Sequence, residues 1–193
     1  LGSQVIRSIL VTPGNLYATA WGAGVYRSTD NGNNWTLASS GITNLRVWPL
    51  AVNQSGHLFV GTGQYGDSGH VYRSTNNGGS WTRIFNQAPP NPVWAVAVNQ
   101  LGHLYCGTYG NGLFRSTNAG VQWEALTGGI FNNNFYSRWI RGLAVTPSGY
   151  VFAATEGNGV FRSSRSTTGV GDVDGELPAA AALAAGWSST FTI

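Results

Sequence analysis

The chain has 193 residues, enough for one domain with a core of its own, and 42% of them are hydrophobic. All ten basic residues are Arg, and three of the seven carboxylates lie beyond residue 169, so the net charge of +3 conceals a body at +6. Such a charge attracts anions, but the arginines are dispersed and form no basic stripe, which argues against nucleic acid; no apolar run is long enough for a membrane-spanning helix.

In chain order, the first strand expected is 8–11 (Ser-Ile-Leu-Val), and it recurs as 49–52, 95–98 and 142–145. The second repeat reads most clearly. An inner strand at about 47–53 turns at Gln54-Ser55-Gly56, a second strand returns over 57–62, and a loop spans 63–69. A third strand follows at 71–74, then a turn and an outer strand at about 81–85. Four such meanders, at about 4–44, 45–90, 91–136 and 137–167, make an all-β chain of four-stranded blades, the last incomplete. After Ser164 there is neither the Gly nor the Trp of the earlier copies, and residues 168–193 read as a Gly/acidic linker and an Ala-rich tail. The strand-like run 186–193 is a candidate to close the last blade or to exchange into a second copy, which makes homo-oligomers possible.

Cys106 is the only cysteine and aligns with Ala18, Val60 and Ala153, so a small buried residue is expected and an internal disulfide is excluded. His57, His70 and His103 lack metal-ligand spacing. No metal or cofactor is expected.

Each of the first three meanders turns at a repeated motif: Ser28, Asp30, Gly32 and Trp35; Ser74, Asn76, Gly78 and Trp81; Ser116, Asn118, Gly120 and Trp123. The short oxygen-bearing side chain accepts hydrogen bonds from its own turn, Gly supplies positive φ, and Trp is expected to insert between blades. The role is structural. The spacing Ser-x-Asp-x-Gly-x-x-Trp resembles the Asp-box or BNR repeat of β-propellers found in sialidase-like, sortilin-like and photosystem-assembly-factor-like proteins. That resemblance, over roughly residues 4–165, implies a propeller and leaves the reaction open. Residues 168–178 resemble the linker ahead of the C-terminal sorting domain in proteins exported by the bacterial type IX system. With Leu and no Met at position 1, this implies a processed product, secreted or on the cell surface.

Antiparallel strands alternate direction, so the start of each inner strand and the loop between strands two and three share one end, opposite the repeated turns. The inner-strand alignment places Arg7, Trp48, Trp94 and Arg141 at equivalent positions near that end. The loops add Trp21, Tyr65 with Asp67, Tyr109 with Asn111, and Glu156 with Asn158. Aromatic planes with guanidinium and carboxylate groups suit a glycan or an acidic partner. Large inner residues also serve simply to fill a propeller core. The arginines at 27, 73, 115 and 162 recur in every copy and read as a repeated structural hydrogen bond or a solvated edge.

Three functions are weighed: a non-catalytic extracellular recognition module, a self-assembling structural subunit, and a sialidase-like hydrolase. The sialidase comparison offers Arg7, Arg46, Arg138 and Arg141 as guanidinium donors, Tyr109 or Tyr136 as a phenol, and Asp67 or Glu156 as the acid. No complete constellation of nucleophile, acid/base and stabiliser emerges, so no catalytic residue is assigned.

Overall fold

A computed structural model describes residues 1–85, 91–126, 138–164, 166–167 and 188–191. Tyr136, the linker at 168–178 and most of the tail lie outside the described residues.

β-Branched and aromatic residues separated by Gly- and Asn-rich turns produce sixteen short strands among the described residues. The first sheet holds β1 (Ile6–Thr12), β2 (Asn15–Ala20), β3 (Gly24–Ser28) and β4 (Thr36–Leu37) in sequential order. The second holds β5 (Val47–Val52), β6 (Leu58–Thr62), β7 (Val71–Ser74) and β8 (Thr82–Phe85), within one residue of the expected bounds. The third repeats the order with β9 (Val93–Val98), β10 (Leu104–Thr108), β11 (Leu113–Ser116) and β12 (Glu124–Leu126). In the fourth, β13 (Ile140–Val145), β14 (Val151–Thr155) and β15 (Gly159–Ser163) form an antiparallel meander. Its outer position is filled by β16 (Ser188–Phe191), which pairs with β15 in parallel. The missing outer strand of the fourth repeat is thus replaced by a segment from the tail.

The chain divides into two compact units, Leu1–Val96 and Ala97–Ile193, with the division inside β9. In the first, Tyr17, Val25, Val47, Leu50, Leu58, Val60, Tyr72 and Trp81 form the core between the first two sheets. In the second, Tyr105, Leu113, Ile140, Val151, Ala153 and Phe161 do the same between β9–β12 and the fourth sheet. Every residue of β6 and of β10 is buried, as a strand covered on both faces requires.

The repeated turns show why they recur. Gly32 N–H donates to Ser28 Oγ at 2.9 Å, Ser28 Oγ to Asp30 Oδ1 at 2.8 Å, and Asn34 N–H to the same oxygen at 2.8 Å. The second and third turns keep these bonds with Asn76 and Asn118 as acceptors. The residue four places on compensates for the exchange of Asp for Asn. Asn34 donates its amide to Asp30 Oδ2, whereas Ser80 Oγ and Gln122 Oε1 accept from Asn76 and Asn118. Of the tryptophans expected to insert between blades, Trp81 does so in the core between the first two sheets. Trp81 is buried and reaches the Ala38 carbonyl of the preceding repeat at 2.7 Å, while Trp35 and Trp123 donate to the glycine carbonyl of their own turns.

Candidate functional site

Arg7, Trp48, Trp94 and Arg141 each occupy the second position of the first strand of their sheets. In the first, second and fourth sheets the pairing of strands one and two slips at that position: between Ile6 and Ser8, between Val47 and Leu50, and between Ile140 and Gly142. A bulge of this kind re-aims a side chain and ends regular pairing. The loop after strand two is then tied back to the residue just before strand one. Trp21 N–H bonds to Val5 O, Gly63 N–H to Arg46 O and Glu156 N–H to Trp139 O, at 2.9, 2.9 and 3.0 Å.

In the first unit this geometry brings Arg7, Trp21, Trp48 and Trp94 together. The rings of Trp21 and Trp48 meet edge to face with centroids 5.2 Å apart, and Trp48 continues to Trp94 at 5.6 Å. The Arg7 guanidinium lies 4.8 Å from the Trp21 ring and 5.4 Å from that of Trp48. Trp94 is buried, Trp21 and Trp48 are half-buried, and Arg7 is exposed. The series therefore runs from an anchored base to solvent. Tyr65, 76% exposed, stands on the adjoining loop.

The same unit contains a polar cleft of about 490 Å³ bounded by Gly22, Asn44, Arg46, Asp67, Ser68 and His70. Arg46 Nη1 donates to Asp67 Oδ2 at 3.0 Å, and Asn44 Oδ1 accepts from the Arg46 backbone N–H. Burial, reinforced by the Arg83 charge, holds the His70 pKa below the usual imidazole value.

In the second unit Arg141 is ion-paired to Glu156, and Tyr109 stacks on Trp139 with centroids 4.1 Å apart. Sequence reasoning missed Trp139 and the pairing partners of Arg46. Trp139 immediately precedes an inner strand, but the corresponding positions hold Val5, Arg46 and Pro92, so no repeat marks it. Cys106 is fully buried opposite Phe114, and burial raises its thiol pKa well above the ordinary range. Among the described residues no group of His, Cys, Asp and Glu is placed to hold a metal, and no helix is long and apolar enough to cross a membrane.

No protein-family model matches the sequence, and no curated protein matches it. Solved structures do. The chain is similar to the GH74 xyloglucanase of Xanthomonas campestris with a TM-score of 0.62 at 22% identity, over 82% of this chain and 29% of that one. It is similar to an extracellular domain from B. thetaiotaomicron with a TM-score of 0.62 at 16% identity, over 80% and 21%. It is similar to YCF48 from Cyanidioschyzon merolae with a TM-score of 0.59 at 18% identity, over 82% and 52%. The chain thus spans between about a fifth and about half the length of these proteins. At such identities the likeness establishes the fold, β-propeller blades.

Proposed function

We propose that the chain is a non-catalytic, extracellular recognition module of the Asp-box propeller class, and that it binds a glycan on the loop end of its first unit. The observation that carries this reading is the Arg7, Trp21, Trp48 and Trp94 series, because ring faces pack against sugar C–H groups while a guanidinium reaches hydroxyls or carboxylates. Tyr65 extends the aromatic surface in the first unit. Tyr109, Arg141 and Glu156 are the corresponding candidates in the second.

A xyloglucanase stands among the similar structures, which is compatible with sugar binding, but the same fold carries YCF48, so the fold selects no reaction. Catalysis gains no support from the two loop carboxylates, since Asp67 is ion-paired to Arg46 and Glu156 to Arg141. A glycan array with the wild-type chain and a folded Trp48→Ala variant tests the reading. Retention of all glycan binding in the variant would remove its main support.

One observation favours self-assembly as a second reading. Ile9 and Val11 are 64% and 70% exposed, whereas Leu50 and Val52, their counterparts in the second sheet, pack in the core of the first unit. The Ile9 face therefore has the chemistry of a surface made to receive another blade, and a second copy would supply one. Native mass measurement decides this: a dimer that Ile9→Glu dissociates supports it, and a monomer at all concentrations excludes it.

A further inference from the structure

We infer that the Arg46–Asp67 cleft binds adjacent hydroxyls of an uncharged sugar, which narrows the glycan reading above, on which it rests, to neutral ligands. The cleft has built-in donors and acceptors. Asp67 Oδ2 accepts from Arg46 Nη1 and from Asn44 Nδ2, at 3.0 and 3.4 Å. No hydrogen bond among the described residues uses Asp67 Oδ1, Arg46 Nη2 or Ser68 Oγ. The residues that line the cleft therefore retain an acceptor, a donor and a hydroxyl, and a diol presents the complementary set. The pair is fixed in place by Asn44, whose Oδ1 holds the Arg46 backbone.

Charge decides the class of sugar. Arg46 and Asp67 cancel, and partial burial together with the Arg83 charge disfavours the protonated form of the half-buried His70. A carboxylate ligand would have to compete with Asp67 for the guanidinium and would meet its negative charge, so an acidic sugar is rejected where a neutral one is accepted. The pair is partly exposed, with side chains 43% and 27% accessible, so ligand hydroxyls can reach both partners. Gly22 directly follows Trp21, and Arg46 lies two residues before Trp48. The cleft and the tryptophan series consequently share two chain segments.

The test is calorimetric titration of the whole chain with cellohexaose, mannohexaose and hexagalacturonate. The wild-type chain should bind at least one neutral hexasaccharide more tightly than hexagalacturonate, and Asp67→Asn should weaken that binding about tenfold, the scale of a lost charge-assisted hydrogen bond. The same substitution should strengthen hexagalacturonate binding, because Arg46 is no longer neutralised. Preference of the wild-type chain for hexagalacturonate, with dependence on Trp48 but none on Asp67, would overturn the cleft assignment and leave the recognition module standing. Failure of all three sugars to bind would overturn both.

Discussion

Trp48 donates its indole N–H to the Gly63 carbonyl at 2.6 Å, joining the inner strand of the second sheet to the loop that carries Tyr65 and Asp67. The bond links the aromatic series to the polar cleft. Trp48→Phe keeps an aromatic ring but leaves that carbonyl without its donor, and should cost about 1 kcal/mol of stability. Urea unfolding measures the loss, and faster amide hydrogen exchange confined to 63–69 would locate it in the loop.

Gly61 and Gly107 occupy the same repeat position, and in each case the following first strand presses against the glycine. A Cβ at Gly61 would lie 2.4 Å from the Val93 carbonyl, and one at Gly107 would lie 2.4 Å from the Ile140 side chain. Gly61→Ala and Gly107→Ala should each destabilise by about 1–3 kcal/mol through overpacking. Thermal unfolding of the single variants checks this, with wild-type stability in either one contradicting the close approach.

The central position of the repeated turn is left-handed in all three copies, at Asn31, Asn77 and Ala119, with φ of 57°, 56° and 57°. Asn tolerates this region and Ala does not. Ala119→Gly should therefore stabilise by about 0.4–1 kcal/mol, measured as a raised urea midpoint at unchanged slope.

These examples show what the sequence made legible. A period of 42 to 47 residues, with closely similar turn chemistry in the first three copies, locates four meanders and the second position of each first strand, because backbone requirements repeat with the fold. Contacts that differ from copy to copy leave no such trace. Trp35, Trp81 and Trp123 are equivalent in sequence, yet only Trp81 donates to the preceding repeat's Ala38 carbonyl. The bulges at Arg7, Trp48 and Arg141 depend on pairing register, and the Arg46–Asp67 pair spans 21 residues between loops. Neither is visible in periodicity.

Hydrogen bonds from the backbone of Asn34, then from its side chain and from Ser28, lower the Asp30 pKa. The folded turn therefore prefers the carboxylate. Its contribution to stability is present above the ordinary Asp value of about 3.9 and is lost as pH falls through the lower folded value. Asp30→Asn should flatten the acid limb of the stability curve below about pH 4, as read from urea midpoints across pH. An unchanged acid limb would contradict the assignment.

Full burial and a raised pKa make Cys106 a reporter of opening in the third sheet. It should resist an aromatic disulfide reagent in the native chain and react fully in denaturant. Rapid native reaction would mean that β10 is not enclosed.

The most direct test of the recognition surface is a titration of the isotopically labelled chain with the neutral hexasaccharides, following the indole N–H signals of its eight tryptophans by NMR. Binding to the proposed surface predicts shifts concentrated at Trp21 and Trp48, with Trp35 and Trp123 unmoved on the opposite turns. Absence of any shift, or shifts confined to Trp35 and Trp123, would contradict it.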